Sequence, residues 1–227
     1  MKKSLSLFAG AALATAMAST AAADTFVFCS EASPEGFNPA FYTSGTTFDA
    51  SSRTMFNRLV EFERGGTSVV PGLAESWEIS DDGLTYTFKL RSGVTFHDGT
   101  TMDAEDVKFS LDRINAEDSA NAQKALYSAI SGVTVIDPMT VEITLSEPNG
   151  NMLFNLAWGD AVIVAPESIE NIKQQPIGTG AFKFDSWSQG DKIEISRNPD
   201  YWGTPAVLSK ATFKFISDPT AAFAAMM

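Results

Sequence analysis

Cysteine, histidine and basic charge are scarce in this sequence. Its 227 residues include one Cys and one His. A single thiol excludes a disulfide framework within the chain. With a single imidazole, it also excludes Cys-rich zinc sites and multi-histidine metal centres. Lys and Arg total 16 against 28 Asp and Glu, a net charge of −12. Nucleic-acid phosphates repel such a surface, so no nucleic-acid partner is expected. No segment beyond the N-terminus is apolar enough to span a bilayer. Catalytic signatures are missing too: there is no G-x-S-x-G, H-E-x-x-H, Walker A loop or G-x-G-x-x-G. Gly178-Thr179-Gly180 supplies the first half of the last pattern but precedes a strand, the wrong order for a phosphate loop.

What remains is a globular composition, 44% hydrophobic and 19% charged. Such a chain can bury a sizeable core as one large or two small domains. At the N-terminus, Lys2 and Lys3 precede an apolar run to about Ala18 and the small residues Ala21-Ala22-Ala23. That order reads as a secretory signal peptide over residues 1–23, cleaved after Ala23, with export to a bacterial periplasm. No Cys stands at the cleavage point, so no lipid anchor is expected.

Thr25–Ser30 reads as a strand and residues 31–45 as a loop punctuated by Pro34, Gly36, Asn38-Pro39 and Gly45. Met55, Phe56, Leu59 and Val60 have helical spacing within 48–62, closed by Arg64-Gly65-Gly66. Asp81-Asp82-Gly83 predicts a hairpin turn between strands over 74–80 and 84–91, the second in strict alternation. Asp103 and Asp106 have capping-box spacing ahead of a helix that presents Val107, Ser110, Leu111 and Ile114 on one face. A second hairpin turns at Asp137-Pro138, between 133–136 and 140–145. A short helix follows over 151–158, and then a short buried strand over 161–165. Strands over 180–188 and 192–197 pair about Gln189-Gly190, and 211–216 is a last strand. The fold class is α+β, mixed α/β and mostly antiparallel, without internal repeats. Ser217-Asp218-Pro219 starts a helix that runs to Met227 without a C-cap, either as a frayed end or as the cut edge of a fragment.

Candidate chemistry is sparse. His97-Asp98 has the makings of an oriented base or one metal ligand. At a strand-to-turn junction before Gly99, however, a solvated or locally bonded imidazole is the ordinary outcome. Cys29, in a strand expected to be buried, is either a small hydrophobe or a thiol with its partner elsewhere. Phe37, Phe41, Tyr42 and Phe48 flank Gly36, Gly45 and a Thr/Ser cluster. They either line a site for a small polar-plus-apolar ligand or plug one end of the core.

Six stretches carry a family resemblance: Phe28–Pro39, Tyr42–Ser51, Asn57–Trp77, Asp82–Gly99, Pro176–Phe182 and Asp200–Gly203. Through them the chain resembles the bacterial extracellular solute-binding proteins of family 5, in their dipeptide-type branch. Two departures stand out: Glu117–Ser131 is short for that branch, and Ala181 stands where Pro is common. The resemblance implies residues 24–227 as the first lobe of a two-lobed, type II-like periplasmic binding protein. It places an inserted subdomain at roughly 66–175 and the second lobe beyond the chain. It further implies a monomeric substrate-binding component of an ABC importer, not an enzyme. This component captures di- or oligopeptides between its lobes and delivers them to an inner-membrane permease. Within the family, nickel, haem or another solute is the alternative cargo; an exported hydrolase is the remote one. The ligand-facing segment would be Thr43, Ser44, Gly45, Thr46, Thr47 and Phe48, with the charged ligand anchors in the second lobe. Cys29 would pair with a Cys just past the chain's end. No cofactor, resident metal or catalytic residue is implied.

Overall fold

A computed structural model describes residues 25–226, with the side chain of Met226 excluded. The signal-peptide reading of residues 1–23 lies outside the described residues. In chain order come β1 (Thr25–Ser30), α1 (Gly45–Thr47) running into a π turn at Phe48–Ser52, β2 (Val60–Phe62) and β3 (Val69–Pro71). Then follow β4 (Ala74–Ile79), β5 (Thr85–Leu90), α2 (Ala104–Asn115), β6 (Ile130–Asp137), β7 (Thr140–Leu145) and α3 (Met152–Leu156). β8 (Phe182–Ser188), β9 (Lys192–Arg197), β10 (Lys210–Phe215) and α4 (Pro219–Met226) complete the order. One sheet runs β1-β10-β9-β8 and a second runs β4-β5-β7-β6; β2 and β3 form a separate ribbon. Only β1 and β10 pair in parallel among the named strands.

Alternation builds the second sheet. Tyr86, Phe88 and Leu90 are buried along β5 while its intervening residues face outward. The preceding turn is closed by Asp82, whose Oδ1 accepts from the Leu84 N–H at 3.0 Å, with Gly83 at φ +70°. The β6–β7 turn is set by Asp137, which accepts from the Met139 N–H at 2.8 Å. α2 opens with the expected capping box: Asp103 accepts from the Glu105 N–H at 2.8 Å, and Asp106 accepts from the Asp103 N–H at 2.9 Å. Its buried stripe is Val107, Ser110, Leu111 and Ile114. The core has two parts: a larger cluster under the second sheet and a smaller one, around Phe37, Phe56 and Ile193, under the first.

Three expectations are corrected. The helix read over 48–62 is a π turn followed by β2. Met55 and Phe56 enter the smaller cluster while Leu59 and Val60 enter the larger. The helical spacing therefore records a segment crossing between two cores, buried on every side. Hydroxyls also divert its backbone: Ser51 donates to the Thr47 carbonyl and Thr54 to the Ala50 carbonyl. The Gly65-Gly66 stop is the turn joining β2 to β3. Residues 161–165 are buried but form no strand. They make a single bridge between Arg58 and Val162, and the Val164 N–H is taken by the Ser110 hydroxyl. Finally, β1 is an exposed edge strand, and Cys29 on it is only half-buried and unpaired among the described residues.

Candidate ligand-binding wall

The Thr43–Phe48 segment is anchored from below. The Asn38 carbonyl takes the N–H groups of Phe41 and Tyr42 at 3.0 and 2.9 Å, turning the chain into α1. Ser44 is the N-cap of that turn: its hydroxyl accepts from the Thr47 N–H at 3.3 Å, donates to the Thr47 hydroxyl at 3.1 Å and lies 3.2 Å from that of Thr46. Thr47 and Phe48 are buried, so they support the wall rather than face a ligand. A Cβ added at Gly159 would lie 2.8 Å from the Phe48 ring, so a glycine is required there. Thr43, Ser44 and Thr46 are half-exposed, and Gly45 is exposed with nothing within 4 Å of an added Cβ. The Ser44 and Gly45 carbonyls are taken by the Phe48 N–H, so the turn offers an exposed glycine, its leading N–H groups and hydroxyls over an apolar footing.

The loop aromatics divide between the two readings. Phe37 is fully buried, edge-on to Phe184 and Trp187 with centroids 5.1 and 5.0 Å away, and it plugs the core as Phe48 does. Phe41 and Tyr42 are accessible and carry cations on their rings: the Arg113 guanidinium lies 5.1 Å from the Phe41 centroid, and the Lys173 ammonium 5.3 Å from that of Tyr42. Arg113, at the end of α2, reaches Asn38 at 3.5 Å, while its buried Nε and second terminal nitrogen have no partner. Burial lowers its pKa to about 10.

His97 is neither solvated nor locally bonded: its partners are distant in sequence, and it takes no part in this wall. Its Nε2 donates to the Gly180 carbonyl at 3.1 Å and its Nδ1 accepts from the Gly178 N–H at 3.3 Å. Gly178 and Gly180 lie against the Thr54–Met55 backbone, where an added Cβ would come within 2.1 and 2.5 Å of a carbonyl oxygen. The G-T-G run therefore serves close packing. Among the described residues no group of three or more His, Cys, Asp or Glu converges as a metal site.

Sequence reading missed a cleft of about 1050 Å³ between the β2–β3 ribbon and the loop Tyr201–Thr204. Arg58, Arg64 and Arg91 line it together with Tyr201 and Trp202. These residues share no local spacing that could have drawn attention to them as a group. Only the 200–203 stretch stood out, and then only as part of a resemblance.

Comparison with known proteins gives this geometry a context. The sequence model described as bacterial extracellular solute-binding proteins, family 5 Middle, matches residues 68–227. The dipeptide-binding protein of Escherichia coli K12 is 39% identical over 99% of this chain and 47% of its own length. Heme-binding protein A of Haemophilus influenzae is 34% identical over 88% of this chain and 42% of its own. The solved structure of the periplasmic binding protein DppA from Helicobacter pylori, in complex with the peptide STSA, superposes with a TM-score of 0.83 at 31% identity. It covers 89% of this chain and 44% of that one. The chain thus spans about half the length of the curated relatives it matches.

Proposed function

The chain belongs to the family 5 bacterial extracellular solute-binding proteins, and from that premise we propose that it forms one wall of a peptide-capturing cleft in an ABC importer's receptor. The observation that carries this reading is the open Ser44–Gly45–Thr46 turn on a scaffold that superposes on a peptide-bound relative. Hydroxyls and the N–H groups that open the helical turn suit an extended peptide, whose main-chain carbonyls such a wall can hydrogen-bond without regard to side chain. The charged partners of the peptide termini are proposed to lie outside these residues, in a second lobe that closes over the ligand. Residues 66–175 are proposed as a subdomain inserted into the first lobe. In support, the whole β4-β5-β7-β6 sheet falls in one stretch between β1 and β8. The receptor would be a monomer in the periplasm, freed by cleavage after Ala23, and would deliver its ligand to an inner-membrane permease. Cys29 would pair with a cysteine just past residue 227.

The haem-binding relative favours a second reading, in which the same wall closes on a haem. Backbone-amide NMR titration of this chain separates the two. Under the peptide reading, millimolar Ala-Phe shifts the amides of 43–48 and hemin does not. Shifts produced by micromolar hemin alone would transfer the assignment to haem. Absence of any peptide-induced shift in 43–48 would remove this segment from the site.

A further inference from the structure

We propose that the cleft around Arg91 and Trp202 is a second binding site, which takes the carboxylate of a small aromatic acid. It shares no lining residue with Thr43–Phe48. Its volume, about 1050 Å³, is at the upper end of small-molecule sites, roughly 300–1,000 Å³.

The central feature is a guanidinium fixed in place with its fork unused. Arg91 Nε donates to the Gly72 carbonyl at 2.7 Å, and the guanidinium carbon lies 5.0 Å from the centroid of the Trp202 ring. Trp202 is itself held by its indole N–H, which donates to Asn57 Oδ1 at 3.2 Å. Gly72 admits no side chain, since an added Cβ would sit 2.5 Å from the Arg58 carbonyl oxygen. The two terminal nitrogens of Arg91 have no partner among the described residues and are not sealed from solvent. A planar donor fork held by a cation–π contact and a backbone bond has lost much of its freedom in advance, and bidentate capture of a carboxylate is what that geometry does best.

Charge points the same way. The lining carries Arg53, Arg58, Arg64 and Arg91 against Glu61 and Glu63; Arg53 is paired with Asp49 and Arg58 with Glu61, while Arg64 and Arg91 have no ion pair with a carboxylate among the described residues. A locally positive cleft on a chain of net charge −12 is a specific feature, because the surrounding field repels anions. Tyr201 and Trp202, with ring centroids 5.2 Å apart and planes inclined at 49°, supply an angled aromatic surface for the body of the acid.

Calorimetric titration of the chain with benzoate tests this, with benzamide as the neutral isostere and Ala-Phe as competitor. Expected are saturable benzoate binding with Kd on the order of 1 mM or tighter, binding to benzamide at least about tenfold weaker, and no competition by the dipeptide. Arg91→Ala should weaken benzoate about tenfold or more. Arg91→Lys, which keeps the charge but loses the fork, should weaken it about fivefold while the thermal melt stays unchanged. Absence of saturable benzoate binding, equal binding of benzamide, or undiminished binding by Arg91→Lys would each overturn the proposal. Competition by Ala-Phe would instead identify the cleft as part of the peptide site and overturn its independence.

Discussion

His97 and Gly180 are joined by a hydrogen bond of 3.1 Å across 83 residues of sequence, while the other ring nitrogen of His97 takes the Gly178 N–H. Only the neutral imidazole protonated at Nε2 satisfies both contacts. Burial, with Lys183 nearby, holds the His97 pKa down to about 4 from 6.5, against the opposing pull of the Gly180 carbonyl and of Asp98. Protonation is therefore easier in the unfolded chain. The stability His97 contributes is complete above pH 6.5 and is lost as the pH falls from there to about 4, by roughly 3 kcal/mol. Denaturant unfolding of wild type and His97→Gln between pH 7 and 4 should show the wild type losing about that much more. Asp106, pushed up to about 6 chiefly by burial, has the opposite slope, but it is present in both proteins and cancels in the difference. Parallel curves would mean that His97 is not held neutral.

The glycine that serves His97 has a second constraint. A Cβ on Gly178 would stand 2.1 Å from the Met55 carbonyl oxygen and 2.6 Å from the Phe56 ring. Neither the backbone nor the buried ring can retreat without disturbing the smaller core. Gly178→Ala is expected to cost about 3 kcal/mol or more, whereas Gly132→Ala, with open space around it, should change stability by under about 1 kcal/mol. Thermal melts of the two variants check the contrast; similar values would contradict the close approach.

What could be read from sequence was whatever local spacing controls. The Asp82-Gly83 and Asp137-Pro138 turns, the Asp103/Asp106 capping box and the alternation of β5 are each decided within a few residues, and each appears as expected. Tertiary burial misled where it overrode period. Met55 to Val60 is apolar because it crosses between two cores, and residues 161–165 are apolar because they are enclosed rather than paired. At the proposed ligand wall, Gly and hydroxyl content marked the right kind of turn, but spacing could not separate buried Thr47 and Phe48 from accessible Ser44 to Thr46. The Arg91 cleft was illegible because its parts, Gly72, Arg91 and Trp202, meet only after two hairpins and a loop have folded.

Behind α3, a buried polar cluster fixes the segment between α2 and β6. Asp160 accepts from the Tyr127 hydroxyl at 2.7 Å and from the Asn121 amide at 2.9 Å, and neither Asp160 nor Tyr127 has exposed surface. Burial raises the pKa of both groups. Tyr127→Phe keeps the ring but strips the carboxyl of its hydroxyl donor, and should destabilise by about 1–3 kcal/mol. Urea unfolding with an unchanged m-value is the measurement. A loss below about 0.5 kcal/mol would show that the cluster is not load-sharing.

Gly45 and Phe48, three residues apart on one turn, should answer substitution in opposite ways. Phe48 is 8% exposed, so Phe48→Ala leaves a cavity and should cost about 3–5 kcal/mol. Loss of ligand binding in that variant would follow from unfolding as readily as from contact. Gly45 is the cleaner probe. It is exposed, its φ is outside the left-handed region, and an added side chain meets nothing within 4 Å. Gly45→Trp should therefore leave the thermal midpoint within the change expected of about 0.5 kcal/mol, as for an ordinary surface position. If this turn is the wall on which a peptide lies, the indole occupies the space the peptide needs. Amide shifts induced in 43–48 by millimolar Ala-Phe should then vanish or require at least about tenfold more peptide, because one obstructed backbone contact of roughly 1.4 kcal/mol is already a factor of ten. A Gly45→Trp protein with an unchanged melt and unchanged peptide response would place the peptide elsewhere. An unchanged melt with a lost response would tie binding to the Ser44–Thr46 surface, independently of the support beneath it.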